Sequence, residues 1–182
     1  MKDGGHTCDG ASVLIRPERP ADVEAIFAVH EAAFGQTAEA RLVEALRGTT
    51  SWIPELSLVA EREGRVIGHV LFTRMNVRDG DRLHAALALA PVGVLPASQN
   101  AGIGSALIRH GMDEARRLGH AIAIVLGHPS YYPRFGFLPA GRFEIRYPEP
   151  GHDTAFMVAE LLPGALDGVH GVAEYAPAFA GV

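Results

Sequence analysis

The segment of this chain best suited to ligand chemistry spans residues 99–105, which read Gln-Asn-Ala-Gly-Ile-Gly-Ser. Its two glycines let the backbone approach a ligand closely and adopt conformations that other residues avoid. An apolar strand pattern precedes the segment and a helical pattern follows it, so its N–H groups lie at a helix start. Free N–H groups and the helix dipole favour a bound anion such as phosphate. The same glycines also suit a tight turn with close packing of helix on sheet.

Two common phosphate-binding motifs do not fit this segment. A dinucleotide-binding fingerprint needs a third glycine three residues after Gly104, where the chain has Leu107. A P-loop needs a lysine after its glycines, and the chain has no lysine after Lys2. The loop therefore belongs to neither class.

Cysteine and histidine usage indicates neither a metal site nor a nucleophilic cysteine. The single cysteine, Cys8, excludes an internal disulfide and a thiolate cage. The nine histidines show no ligand spacing such as His-x-x-x-His, so no metal is expected. His69 and His84 lie on predicted strands, and a histidine has a pKa suited to a general base near neutral pH. A lone histidine on a strand is, however, more often structural.

The longest apolar stretch of the chain carries a proline in its interior. Residues 83–95 have the composition of a strand, but Pro91 has no N–H to donate to a sheet ladder. The pattern therefore predicts that the sheet is broken or bulged at Pro91, directly before the glycine loop.

These features together resemble the GNAT superfamily of N-acetyltransferases. The loop fits that family's motif Gln/Arg-x-x-Gly-x-Gly/Ala. The preceding Val-Gly-Val, residues 92–94, is similar to the family's splayed strand, and Pro91 gives a physical cause for the splay. The segment Tyr-Pro-Arg-Phe-Gly-Phe, residues 132–137, resembles the family's Tyr-x-x-x-Gly-Phe.

The resemblance extends over about residues 13–161. Residues 15–22 resemble the family's first strand and the start of its first helix. Residues 126–137 look like those of the YhbS-like group of predicted acetyltransferases, and Gly171, Tyr175 and Phe179 are similar to that group's C-terminal extension. The implied fold is of the GNAT acyl-CoA N-acyltransferase type, with a splayed central sheet flanked by helices.

The resemblance also implies a cosubstrate, acetyl-CoA, and a role for each matching residue. Tyr132 matches the tyrosine that protonates the departing thiolate, and Tyr131 is the alternative. The pantetheine arm would lie on the backbone of Val92, Gly93 and Val94. The pyrophosphate would lie on the backbone of Gln99, Asn100, Ala101, Gly102, Ile103, Gly104 and Ser105.

Two assignments stay open at this point. Arg109, Arg116 and Arg117 either reach the nucleotide end of CoA or form a solvated helix face in which Asp113 pairs with Arg117. The general base is His84, His69, Glu31 or a chain of water molecules.

Periodicity predicts a mixed α/β (α+β) sheet. Helices are expected from Pro20 to about Ala33, after Thr37, and over residues 102–118, each with a glycine at its end. Strands are expected at residues 13–16, 56–61, 65–75, 83–95, 121–126, 143–146 and 154–161, with a short helical turn at residues 130–134. Strand, helix and strand over residues 83–126 form one βαβ unit.

Length and composition bound the remaining possibilities. A chain of 182 residues is expected to form one domain. We expect a flexible lead-in at residues 1–11, a GNAT domain at residues 12–162 and a packed C-terminal extension at residues 163–182. A net charge of −5 argues against nucleic acid and anionic membranes as partners. The first ten residues lack the apolar stretch of a secretion signal, so a cytoplasmic location is expected. The protein is also expected to be a monomer or a homodimer.

The function predicted from the resemblance is direct transfer of an acetyl group from acetyl-CoA to a primary amine of a small molecule or peptide. A non-catalytic acyl-CoA-binding regulatory module of the same fold is the alternative. Three segments are expected to build the acceptor pocket: residues 34–37, the hairpin at residues 75–83, and the strands after Phe137.

Overall fold

The computed structural model describes residues 12–180, so the predicted lead-in at residues 1–11, with Cys8, lies outside the described part. Nine strands form one sheet: Leu14–Pro17 (β1), Ser57–Arg62 (β2), Arg65–Asp79 (β3), Arg82–Val94 (β4), Ile122–Leu126 (β5), Leu138–Pro139 (β6), Ile145–Arg146 (β7), Phe156–Glu160 (β8) and Gly171–Glu174 (β9). The helices are Val23–Phe34 (α1), Ala38–Leu46 (α2) and Ile103–Arg117 (α3). Within residues 12–180, no helix is both long and apolar enough to cross a bilayer.

The first four strands form an antiparallel meander whose turns fall where the sequence predicts them. Glu63 and Gly64, both with positive φ, join β2 to β3, and Gly80 at φ 55° lies in the turn between β3 and β4. Gly35 at φ 71° ends α1, and its N–H donates to the carbonyl of Glu31.

Beyond β4 the chain crosses through α3 and returns as β5, which pairs parallel to β4. The strand order is β1-β2-β3-β4-β5-β8-β6, with β9 joining β3 to β7. The mixed α/β sheet flanked by helices, predicted from the periodicity, is therefore confirmed.

Alternation along the strands divides the core between the two faces of the sheet. Val70 and Phe72 of β3 pack in one cluster with Leu107 and Ile108 of α3. Leu71, between them, packs with Ile26 of α1 and with α2. A third cluster lies where β3 and β4 approach the turn that joins them. It packs these parts of the two strands against the C-terminal residues Leu166, Val169 and Ala173. The helices α1 and α2 thus lie on one face and α3 on the other.

Close packing of α3 on β3 depends on Gly111. A Cβ added there would overlap the Phe72 ring, which is fully buried. We expect Gly111→Ala to lower the free energy of unfolding by up to about 2 kcal/mol, because overpacking outweighs the gain in helix propensity. Urea denaturation measures the change.

Gly141→Ala is the matched control, since a Cβ at Gly141 meets nothing within 4 Å and the backbone there has no positive φ. Equal stability of the two variants would contradict the close contact between α3 and β3.

Candidate functional site

The central feature of the site is a gap between β4 and β5. The two strands pair only at Leu87 with Ala123 and at Ala88 with Ile124. Beyond these pairs β4 continues to Val94, still paired to β3, while β5 continues to Leu126, paired to β8. The predicted splay is therefore present, and it opens into a cavity of about 1070 Å³.

A bulge in β4 lies where the sequence predicts it. Leu89 pairs with Phe72 and Val92 with Val70, so Ala90 and Pro91 together face the single residue Leu71. An extra residue inverts the alternation of side chains along the strand. Val92 and Val94 consequently pack toward the α3 cluster, and Gly93 faces α1.

The glycine loop forms one end of the cavity. Asn100 at φ 61° and Gly102 at φ 78° turn the chain into α3, and the Gln99 side chain donates to the carbonyl of Val94 at 3.0 Å. The first α-helical bond runs from the N–H of Ala106 to the carbonyl of Gly102. The three preceding N–H groups, on residues 103–105, therefore lack partners within the helix. An anion such as a phosphate fits these donors.

Ten of the eleven residues that sequence analysis assigns to the site line this cavity. They are Val92, Gly93, Val94, Gln99, Asn100, Gly102, Ile103, Gly104, Ser105 and Tyr132. Ala101 does not line it. Residues that lie 40 positions apart in the chain thus meet around one gap.

The two adjacent tyrosines have different environments. The Tyr131 hydroxyl lies 3.1 Å from Oγ of Ser105 at the start of α3. Tyr132 is 93 % buried against Phe135 and Phe137, and a Cβ at Gly127 would overlap its ring. Burial, with the nearby Tyr131, raises the pKa of Tyr132 to about 12. Tyr132 is therefore a protonated phenol at the cavity wall at neutral pH.

The three arginines of α3 form a solvated helix face, but their ion pairs differ from the predicted pair. Asp113 pairs with Arg116 at 2.6 Å, and Glu114 pairs with Arg117. The predicted pair of Asp113 with Arg117 is wrong, because the helix here closes ion pairs three residues apart and not four. Arg109 lies over the ring of Phe135. None of the three arginines lines the cavity.

The arginine that does line the cavity is Arg134, which sequence analysis did not assign. Its guanidinium lies 4.6 Å from the centre of the Tyr131 ring, and its Nε donates to the Tyr131 carbonyl at 2.9 Å. The position of Arg134 inside the Tyr-x-x-x-Gly-Phe segment could have indicated from the sequence that it lies at the site. Arg134 places a positive charge at the cavity wall near the glycine loop.

The opposite half of the cavity is lined mainly by apolar and aromatic groups. Its lining residues are Ala33, Phe34, Glu39, Leu42, Tyr147, Tyr175 and Phe179. Tyr147 packs on Tyr175, and Tyr175 packs on Phe179. Of the predicted acceptor segments, the hairpin at residues 75–83 contributes no lining residue, because it lies at the far end of β3 and β4 from the splay.

The candidate bases are distributed differently from the sequence-based expectation. His84 pairs with Val77 near that hairpin, and neither His84 nor Glu31 lines the cavity. His69 is fully buried and lies 2.7 Å from His30, a residue of α1 that sequence analysis did not single out. Among residues 12–180, no group of three or more His, Cys, Asp or Glu side chains is placed to hold a metal.

Comparison with known proteins connects this geometry to a family. A model of the acetyltransferase (GNAT) domain matches residues 14–140. The N-acetyltransferase YhbS of Escherichia coli is 37 % identical over 164 residues, covering 90 % of this chain and 96 % of YhbS.

Two solved structures share the architecture. The crystal structure of E. coli YhbS in complex with CoA superimposes with a TM-score of 0.89 at 34 % identity, over 97 % of this chain and 96 % of that one. A GNAT family acetyltransferase from Brucella melitensis in complex with acetyl-CoA gives a TM-score of 0.76 at 34 % identity, over 93 % and 99 % of the two chains.

The glycine loop generates a binding prediction. A Cβ at Gly104 would lie 3.5 Å from the Tyr131 hydroxyl oxygen and 3.7 Å from Cγ2 of Val94, so alanine fits but larger side chains extend into the cavity. We expect Gly104→Val to weaken acetyl-CoA binding at least about tenfold, or about 1.4 kcal/mol, in isothermal calorimetry.

Gly104→Ala is the control and should bind acetyl-CoA more tightly than Gly104→Val does. If a folded Gly104→Val variant binds acetyl-CoA as the unmodified protein does, the loop is a structural turn only.

Proposed function

The chain belongs to the GNAT family of acetyltransferases, and on this premise we propose that it transfers an acetyl group directly from acetyl-CoA to a primary amine. The observation that carries the proposal is a single cavity that runs from the free N–H groups at the start of α3, along the splayed edge of β4, to an apolar half on the α1 side. Two substrates of different chemistry can therefore meet at β4.

The polar half of the cavity is the proposed site for acetyl-CoA. Backbone N–H groups of residues 99–105 would bind the pyrophosphate, and Ala101 would contribute through its backbone although it does not line the cavity. The exposed edge of β4 at Val92, Gly93 and Val94 would bind the pantetheine arm, because the strand lacks a partner there. The complexes of CoA with YhbS and of acetyl-CoA with the Brucella protein support this assignment.

Tyr132 is the proposed general acid. As the amine nitrogen bonds to the acetyl carbon and the C–S bond breaks, the sulfur takes the electron pair and needs a proton. A phenol whose pKa is raised to about 12 by burial holds its proton throughout the neutral range. Because a thiol ordinarily has a pKa near 8.5, below that of this phenol, the proton transfer is uphill by itself, and formation of the amide drives it.

A non-catalytic binding module is not favoured. Such a module needs neither an acid beside the thiol nor an open second half of the cavity. Two features support the enzyme over the module: Tyr132 lies at the cavity wall, and the apolar half extends beyond the glycine loop to Phe34 and Phe179.

Removal of the Tyr132 hydroxyl tests the acid. We expect Tyr132→Phe to lower kcat and kcat/KM together by about 10²–10⁴-fold, since the proton is donated only in the transition state. The ring remains, so packing against Phe135 and Phe137 and affinity for acetyl-CoA should persist. Steady-state release of free CoA thiol measures the rate.

Tyr131→Phe is the matched control, because it removes the neighbouring hydroxyl, whose partner is Ser105. Its effect should be much milder. An exchange of the two phenotypes would make Tyr131 the acid, and full activity of both variants would show that solvent protonates the sulfur.

The aromatic half of the cavity predicts the acceptor class. Phe34, Tyr147, Tyr175 and Phe179 offer apolar surface and ring faces, and Glu39 supplies a negative charge. Such a surface binds an amine carried on an aromatic or apolar body. We expect phenethylamine and tyramine to have KM values at least about tenfold below that of n-butylamine, a difference of about 1.4 kcal/mol.

A panel of primary amines with thiol detection provides the measurement. It contains phenethylamine, tyramine, n-butylamine, spermidine, kanamycin and alanine amide as a stand-in for a peptide terminus. Preference for spermidine or kanamycin would overturn the assignment of an arylalkylamine acceptor but not the proposed transfer reaction.

A further inference from the structure

Positive charge is scarce in the cavity. Among residues 12–180, Arg134 is the only lysine or arginine that lines it. The arginines of α3, which sequence analysis weighed for the nucleotide end of CoA, lie outside its lining. The phosphates of CoA are anions, and the chain itself has a net charge of −5. Arg134 is therefore the one cationic side chain of the described residues that can offset phosphate charge from within the cavity.

Two contacts hold the Arg134 side chain against Tyr131. Its Nε donates to the Tyr131 carbonyl at 2.9 Å, and its Cζ lies 4.6 Å from the centre of the Tyr131 ring. The face of an aromatic ring attracts a cation, so the ring orients the guanidinium without using its N–H groups. The two terminal nitrogens, Nη1 and Nη2, have no hydrogen-bond or ion-pair partner within residues 12–180. Their N–H groups are available to a ligand.

The Tyr131 ring leads from Arg134 to the start of α3. Its hydroxyl lies 3.1 Å from Oγ of Ser105, and an ideal Cβ at Gly104 would lie 3.5 Å from the hydroxyl oxygen. Gly104 and Ser105 carry two of the N–H groups that lack a partner within the helix. The guanidinium, the ring and these N–H groups are therefore neighbouring parts of one cavity wall.

The two sets of donors come from opposite sides of the splay. The glycine loop follows β4, whereas the helical turn Tyr132–Phe135, which carries Arg134, comes after β5. Since β4 and β5 do not pair beyond Ala88 and Ile124, an anion at the gap has donors from both strand ends beside it. A guanidinium offers two parallel N–H groups, which match two oxygens of a phosphate.

We propose that Arg134 binds the pyrophosphate of CoA from the β5 side of the gap, opposite the N–H groups of the glycine loop, and that the Tyr131 ring positions its guanidinium. The inference deepens the acetyl-CoA site and so rests on the proposed function. The pyrophosphate is the phosphate assigned, because the ring under the guanidinium ends at Gly104 and Ser105, the backbone proposed for that group.

This assignment gives the two adjacent tyrosines separate tasks on one cosubstrate. Their rings are nearly perpendicular, at 89°, with centres 5.3 Å apart. Tyr132 packs into the core against Phe137 and is the proposed acid at the sulfur. Tyr131 acts through its ring face, as the support of the arginine that binds the phosphates. Its hydroxyl is not needed for that task.

The first experiment titrates CoA into Arg134→Gln by isothermal calorimetry. We expect the Kd for CoA to rise about tenfold, because charge-assisted hydrogen bonds to a phosphate are lost. Arg134 is exposed, so the variant should fold. With a panel amine that is turned over, KM for acetyl-CoA should rise while kcat stays unchanged, since the phosphate contact is the same in the ground state and the transition state.

Arg117→Gln is the matched control. It removes the same charge from a side chain of α3 that pairs with Glu114 and does not line the cavity. Its Kd for CoA should equal that of the unmodified protein. An unchanged Kd in Arg134→Gln overturns the proposal. An equal rise in both variants also overturns it, because the effect would then report net charge and not a contact.

The second experiment identifies the phosphate. Dephospho-CoA lacks the phosphate on the ribose and keeps the pyrophosphate. Arg134→Gln should therefore weaken the binding of CoA and of dephospho-CoA by the same factor. A loss with CoA that is absent with dephospho-CoA overturns the assignment to the pyrophosphate.

A double-mutant cycle tests the positioning role of Tyr131. Tyr131→Leu removes the ring face, so it should raise the Kd for CoA severalfold when Arg134 is present and have little further effect in Arg134→Gln. Tyr131→Phe keeps the ring and should show only a small part of this rise. A merely structural role predicts additive effects, and additivity overturns the positioning role. Thermal unfolding checks that each variant is folded.

The titrations need no acceptor amine, so they separate this proposal from the proposed function. If no panel amine is turned over but Arg134→Gln still weakens CoA binding, the transfer reaction fails and the role of Arg134 stands. If amines are turned over and Arg134→Gln binds CoA as the unmodified protein does, the transfer reaction stands and the role of Arg134 is overturned.

Discussion

The structure depends on one constraint: β4 must pair with β3 along its length and yet separate from β5 after Ala88. The bulge at Ala90 and Pro91 meets this constraint, because it keeps the ladder to β3 on both sides of a residue that cannot donate. The free edge of β4 then ends at the start of α3. An open strand edge and an open helix N-terminus, each costly when buried without partners, become the walls of one cavity.

The same bulge decides which chemistry lies on each side of β4. Because it inverts the alternation, Val92 and Val94 close the α3 core while Gly93 faces α1. A strand without the extra residue would direct a valine at the His30 imidazole. The free edge of β4 and the accommodation of the buried histidines therefore have a common cause, the bulge at Ala90 and Pro91.

Features encoded by local sequence were predictable, and those that depend on distant contacts were not. The glycine loop, the bulge and α3 follow from consecutive residues, and the structure has them at the predicted positions. The pairing of Asp113 was missed, since spacings of three and four residues are nearly equivalent on a helix. The contact between His30 and His69 joins residues 39 positions apart. Sequence periodicity does not predict that a histidine of a helix and a histidine of a strand share a hydrogen bond.

The apolar half of the cavity was the least predictable, for a reason that lies in the topology. β9 pairs with β3 beyond the end of β2 and covers an edge that would otherwise stay open. That pairing brings Tyr175 and Phe179 over α1 and α2, more than a hundred residues from Phe34 in sequence. The match to the GNAT domain ends at residue 140, before Tyr147, Tyr175 and Phe179. The residues proposed for acetyl-CoA thus lie inside the shared domain, whereas most aromatic groups that would select the amine lie after it.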